Sequence, residues 1–314
     1  MLDLQQSKDD SELGDDPFRL ELAGSPFQFE FWEIFESYGA RIRLAAESKN
    51  LLENLKNTAK SALLGRLNFL GQSVQSFDAE FAAARNRDGK YVLYFDPSAD
   101  ETAGEPESTD KGQEAVFPAF ESEADFNRLL NTLIRVRVGE FTRDWVFIHS
   151  GVVSINGKAI LLPGDSYSGK STLTAELVSK GAEYLSDEYA VLDKEGKVHP
   201  FDRDISLREK DGFTPYHLAP EAVGKRYGSG SPLEVGLVIF TKFTEGKLFR
   251  PRKLSLGMGI MKTMPFVLSV RRNAKFSLKV LNTTFKNAII LASVRGEASL
   301  AAEKITEIAE RRLL

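Results

Sequence analysis

The chain has 314 residues, 42% hydrophobic and 27% charged, with a formal net charge of −4. That is a globular composition, long enough for one large domain or two medium ones, and its mild acidity gives no footprint for nucleic acid. There is no cysteine, which excludes disulfides, thiolate metal sites and a cysteine nucleophile, and the three histidines (His149, His199, His217) offer no metal pair on one helix face.

The N-terminal decapeptide, Met-Leu-Asp-Leu-Gln-Gln-Ser-Lys-Asp-Asp, lacks the basic and apolar regions of a secretion signal. No apolar run approaches the roughly 18 residues of a membrane span. A cytoplasmic protein without a membrane partner is the expectation. Residues 1–16 are acidic and poor in large apolar side chains, and read as a disordered tail.

From residue 17 to 96 the pattern is that of a small α+β accessory domain. Arg41–Leu44 reads as a strand. Ser48 caps a helix with Leu51, Leu52, Leu55, Ala59, Ala62 and Leu63 on one face. Lys90–Phe95 reads as a second strand, introduced by an Asp88-Gly89 turn. Residues 97–118 are rich in acid, Pro, Gly and Ser, and are the best candidate for a flexible linker. Residues 119–314 then form the catalytic domain of this reading. It opens on an amphipathic helix carrying Phe126, Leu129, Leu130, Leu133 and Ile134.

Trp145–His149 and Val152–Ile155 precede Asn156-Gly157, and Lys158–Pro163 follows. Asn-Gly between apolar runs is the strongest short hairpin signal, because both residues tolerate φ > 0. The second strand of that hairpin feeds Gly164-Asp165-Ser166-Tyr167-Ser168-Gly169-Lys170-Ser171-Thr172, a complete G-x-x-x-x-G-K-S phosphate-binding loop. In such a loop the glycines let backbone N–H groups turn toward phosphate oxygens, Lys170 reaches the β/γ-phosphates, and Ser171 is placed for Mg²⁺. The following helix, with Leu173 and Leu177 at i, i+4, ends at Lys180 and Gly181 and adds its N-terminal dipole. A feeding strand paired antiparallel with its predecessor implies a mixed sheet, unlike the usual parallel βαβ arrangement.

After the next strand, Glu183–Leu185, comes Ser186-Asp187-Glu188. Most Asp-Glu pairs are solvated turn acids. A strand returning beside the loop would instead bring both to the γ-phosphate side, one to take a proton from an attacking hydroxyl and the other to organise Mg²⁺. His149, at the end of an apolar strand, reads as a hydrogen-bonded core histidine, and without a G-x-S-x-G elbow a serine-hydrolase triad is excluded. Arg203, Arg208, Arg250, Arg252 and Lys253 are further sources of positive charge, each ordinarily a solvated surface residue. The chain closes on a helix over 297–312 with Ala298, Ala301, Ile305 and Ile308 at helical spacing.

Ile148-His149-Ser150-Gly151, the hairpin, the 164–172 loop and Gly181-Ala-Glu-Tyr-Leu-Ser-Asp-Glu188 resemble the catalytic domain of HPr kinase/phosphorylase and its kinase-like relatives, whose nucleotide fold is shared with phosphoenolpyruvate carboxykinases. Val198–Arg208 resembles the Pro-Phe…Leu-Arg stretch of the kinase-like branch. The resemblance implies an α/β phosphate-loop domain with a mixed sheet beside the accessory domain. It implies ATP and Mg²⁺ bound by Gly164, Gly169, Lys170 and Ser171, with Glu188 as base, in place of the family aspartate, and Asp187 beside it. It also implies a role for His149 near that acid, and Glu234 as a metal-site glutamate.

The Arg-Gly-Leu-Gly signature of HPr kinases is absent, which argues against HPr as substrate and against phosphorylase activity. The expected activity is transfer of the γ-phosphate of ATP to a hydroxyl, on a serine of a peptide or small protein or on a small metabolite. A nucleotide-binding regulatory module without an acceptor is the alternative, and carboxykinase-like chemistry is the weakest. HPr kinases form hexamers, so a homo-oligomer is left open, although no interface signature is legible.

Overall fold

In a computed structural model the described residues are 20–21, 29–71, 74, 76–95, 115–208 and 215–313. The tail over 1–16 and linker residues 97–114 lie outside them. The chain divides into two compact units, Met1–Ile134 and Arg135–Leu314.

The first unit carries β1 (Leu20–Glu21), β2 (Phe31–Ser37), β3 (Ala40–Ala46), α1 (Lys49–Ala62), β4 (Asn68–Phe69), β5 (Ser76–Phe77), β6 (Ala79–Arg85), β7 (Tyr91–Phe95), β8 (Ala115–Val116) and the start of α2 (Glu123–Phe141). β4-β2-β3-β6-β7-β8 form one sheet, parallel only between β3 and β6, and β1 pairs with β5 apart from it. The Ser48 hydroxyl accepts the Leu51 N–H at 3.3 Å, and Leu51, Leu55, Ala59 and Ala62 are the buried face of α1. β8 takes up two residues of the expected linker.

The division between units falls inside α2, not at the linker. The reason lies in the packing of the helix start. Phe126 stacks on Tyr91 at 5.2 Å between centroids, and the Tyr91 hydroxyl donates to Glu123 at 2.5 Å.

The second unit begins in α2 and continues with β9 (Val146–Ile155), β10 (Lys158–Pro163), α3 (Lys170–Ser179), β11 (Glu183–Ser186), β12 (Tyr189–Leu192), β13 (Val198–His199), β14 (Ile205–Arg208), β15 (Pro215–Leu218), β16 (Lys225–Arg226), β17 (Val235–Phe243), β18 (Arg252–Lys253), α4 (Leu256–Thr263), α5 (Ala274–Phe285), β19 (Ile289–Arg295) and α6 (Ala298–Arg312). Its main sheet runs β13-β12-β9-β10-β17-β19-β18, with β11 on β9 and β16 on β11, and β14–β15 form a separate hairpin.

The sheet is mixed. β10 is antiparallel to β9 and parallel to β17. Asn156 and Gly157 take φ +52° and +69°, as the hairpin signal requires. Alternation along β10 sends Ala159 and Leu161 to one face and Ile160 and Leu162 to the other. The first face meets Val280, Leu281 and Phe285 of α5; the second meets Leu173 and Leu177 of α3 with Ala301 and Ile305 of α6. The sheet is therefore covered on both faces, and the loop from β10 to α3 emerges at one end of it.

Candidate functional site

β10 ends at Pro163 and α3 begins at Lys170, so six residues make the connection. Its start is pinned where the Gly164 N–H donates to the His149 carbonyl at 3.3 Å. A Cβ on Gly164 would stand 3.2 Å from Ser168 Oγ, and one on Gly151 only 2.4 Å from Thr174 Oγ1. The missing side chains let α3 seat close against the hairpin. Asp165, Ser166, Tyr167 and Thr172 are exposed, Ser168 and Lys170 are buried, and Gly169 and Ser171 are half-buried. Tyr167 at φ +65° and Gly169 at +84° give the loop its tight course, and the Arg208 guanidinium lies 4.2 Å from the Tyr167 ring. No side chain caps α3, whose N-cap is Gly169, so the N–H groups of its first turn are open to a ligand.

Lys170 is 8% exposed and donates to the Asp165 carbonyl at 2.6 Å. Burial pushes its pKa down to about 8, against the attraction of Asp187 and Asp165. His149, half-buried on β9, is pushed down to about 4, mainly by burial and then by the Lys170 charge, so its imidazole is neutral at pH 7.

The two acids sit in the turn from β11 to β12. Ser186 Oγ accepts the Glu188 and Tyr189 N–H groups at 3.2 and 3.1 Å, and the Glu188 carbonyl accepts the Ser150 N–H at 3.0 Å. Asp187 is 8% exposed; its Oδ2 accepts the Ser206 N–H at 3.0 Å, while its Oδ1 is buried without a hydrogen-bond partner among the described residues. Burial raises its carboxyl to about 7, opposed by the nearby Ser171 hydroxyl, the Ser206 amide and the Lys170 charge. Glu188 lies instead between two guanidiniums, with Arg135 Nε at 2.9 Å and Arg203 Nε at 3.8 Å. Two adjacent carboxylates thus stand in opposite environments, one buried beside a hydroxyl and an ammonium, the other paired with two guanidiniums.

The structure therefore brings His149, the 164–172 loop, Lys170, Ser171, Asp187 and Glu188 together at one end of the sheet. It does not bring Glu234. That residue precedes β17, where its carbonyl accepts the Ala159 N–H and its side chain pairs with Lys158 at 2.6 Å. This is the start of β10, and at about 3.3 Å per strand residue Gly164 lies roughly 15–20 Å away. The expected metal role of Glu234 is corrected accordingly.

Sequence reasoning missed Arg135, whose partnership with Glu188 is purely tertiary, and Arg295. Arg295 is 2% exposed and donates from Nη2 to the Gly169 carbonyl at 2.7 Å. Its only sequence signal is a charge at the end of an apolar strand.

Beside the loop, a cavity of about 530 Å³ is lined by Gly164–Ser168, Phe240, Lys242, Arg252, Lys262 and Phe266 among others. A second, of about 480 Å³, shares Arg252 and Val294 with it and adds Lys247 and Arg250.

The donor set fits Mg²⁺. Ser171 and the unpartnered Oδ1 of Asp187 are hard oxygen groups beside the loop, and Mg²⁺ typically takes one or two protein ligands, with phosphates and water for the rest. Among the described residues no group of three His, Cys, Asp or Glu could hold a metal by itself. Among them, too, no helix is long and apolar enough to cross a membrane.

No family model matches the chain. Over 70 residues, 22% of this chain and 23% of the relative, it is 34% identical to the HPr kinase/phosphorylase of Mycoplasmopsis pulmonis (strain UAB CTIP), so the match spans about a quarter of that protein. The solved Hpr(Ser) kinase/phosphatase from Coxiella burnetii aligns with 53% of this chain and 96% of its own, at 15% identity and a TM-score of 0.29, which carries no argument about the fold. The local sequence identity, standing beside this strand–loop–helix unit, supports an HPr kinase-like family for the chain.

Proposed function

We propose that the chain is an ATP-dependent kinase that transfers the γ-phosphoryl group to a hydroxyl, on a serine of a peptide or small protein or on a small metabolite. In this reading 164–172 is a phosphate-binding loop, and the first unit is an accessory domain. The observation that carries it is the convergence of an uncapped helix N-terminus, a buried Lys170 and the unpartnered Asp187 oxygen around one glycine-bounded loop. The relative's name, kinase/phosphorylase, agrees with this class.

The loop and first-turn N–H groups of α3, with Lys170, bind the β/γ-phosphates. The nucleoside extends into the 530 Å³ cavity, where Phe240 and Phe266 offer apolar faces and Lys242, Arg252 and Lys262 offer charge. Ser171 and Asp187 would hold Mg²⁺, which when bound neutralises developing charge on the phosphates. Glu188 orients the acceptor hydroxyl and takes its proton as the oxygen–phosphorus bond forms and the bond to the β-phosphate oxygen breaks, releasing ADP. A loose transition state asks little of the base, so a carboxylate positioned by Arg135 and Arg203 suffices, and positioning supplies most of the rate.

The same arginine clamp favours a second reading, a nucleotide-binding regulatory module in which Glu188 is structural. Incubation with γ-labelled ATP and candidate acceptors separates the two. Label on a hydroxyl-bearing acceptor, lost in Glu188→Gln with ATP affinity retained, is expected for the kinase; slow, acceptor-independent release of phosphate alone supports the module.

A further inference from the structure

Arg295 is a buried cation to which the mechanism above gives no task. Arg295, the last residue of β19, is buried, with Nη2 on the Gly169 carbonyl at 2.7 Å and Nη1 on the Gly296 carbonyl at 2.9 Å. Its Nε is buried with no hydrogen-bond partner among the described residues. Among the described residues no carboxylate forms an ion pair with it, and Glu297 attracts it only at longer range. A buried guanidinium without a counter-charge costs folding free energy, a cost that an arriving anion reduces. Burial accordingly holds its pKa below the usual arginine value.

The surroundings fix this side chain against the loop from several directions. Arg295 is in register with Phe243 across β17 and β19, and its carbonyl accepts the Thr244 N–H at 2.7 Å. The Phe243 N–H donates to the Ser168 carbonyl at 3.2 Å. Two successive carbonyls at the end of the loop are therefore held by the ends of two strands. In a planar trans peptide the N–H points opposite to the C=O. Holding the Ser168 and Gly169 carbonyls thus sets the direction of the Gly169 and Lys170 N–H groups. Gly169 is required here twice over: its φ is +84°, and a Cβ would stand 2.4 Å from Arg295 Nη2.

We propose that Arg295 is a positioning residue for phosphate binding, locking the Gly169–Lys170 peptide with its N–H toward the anion and placing an unpaired positive charge behind the loop. The proposal rests on the phosphate-loop reading and names a residue 126 positions away that sets the loop's geometry. The test is calorimetric titration of the full chain with sodium tripolyphosphate and with ATP, in wild type, Arg295→Lys and Arg295→Met, alongside unliganded melting curves and a salt series.

Arg295→Met is expected to weaken both anions by roughly tenfold or more, the scale of a lost charged hydrogen bond, with a shallower salt dependence. Arg295→Lys should restore that salt dependence and part of the affinity. Wild-type affinity in Arg295→Met overturns the proposal, and so does an Arg295→Lys that rescues nothing. Absence of a cooperative melt in both variants assigns the residue to the core and overturns it too. Failure of the wild type to bind either anion strikes the phosphate-loop reading itself.

Discussion

Asp187 and Glu188 are neighbours in sequence and opposites in setting, and the difference is measurable without any substrate. The Asp187 carboxyl holds its proton up to about pH 7 in the folded chain, against an ordinary value near 3.8. The folded state therefore binds that proton more tightly than the unfolded one, so its contribution favours folding below about pH 4 and is lost as pH rises to about 7. Asp187→Asn lacks this loss. Its unliganded stability relative to wild type should open from near zero at pH 4 to roughly 2–4 kcal/mol at pH 7 and above. The opposing effect of His149, whose pKa is depressed, is common to both proteins and cancels in the difference. Denaturant melts at a series of pH values check it, and a difference independent of pH contradicts it. Glu188→Gln belongs to the same scale: ATP affinity within about twofold of wild type, with transfer reduced by roughly 10²-fold or more, the size of a lost general base.

Among the elements, the hairpin and the helix laid on it carry the site, and their contact is close. Gly151→Ala would drive a Cβ to 2.4 Å from Thr174 Oγ1. A loss of about 1–3 kcal/mol is expected from this overpacking, read as a lowered urea midpoint with unchanged slope; an unchanged midpoint would mean that α3 can shift away freely. Much of this scale was legible beforehand. Asn156-Gly157 announced the antiparallel hairpin because few other residue pairs accept two positive φ values. Gly181, at φ +101°, marked the end of α3 for the same reason. Glu234 was misjudged because a motif gives a residue's place in sequence without saying at which end of a strand it lies. Arg295 stayed hidden because its meaning comes from a single hydrogen bond to a loop 126 residues away, and no local spacing encodes that.

Across the whole molecule, the α/β character followed from the order of strand, loop and helix, and the mixed sheet from the Asn156-Gly157 hairpin that pairs β10 antiparallel with β9. The division between the units did not. The acidic stretch over 97–118 looked like the natural break, whereas Phe126 and Glu123 commit the start of α2 to β7 through Tyr91. At this scale a nucleotide that binds only the folded chain should raise its melting temperature. At a hundred times Kd the gain is about 2.7 kcal/mol, or roughly 5–10 °C for a unit of this size. The most direct test of the central claim is calorimetric titration of ATP with magnesium into the full chain and into Lys170→Ala. Saturable binding to the wild type that weakens by at least tenfold in the variant is the predicted result; equal affinity in the two proteins would contradict the account.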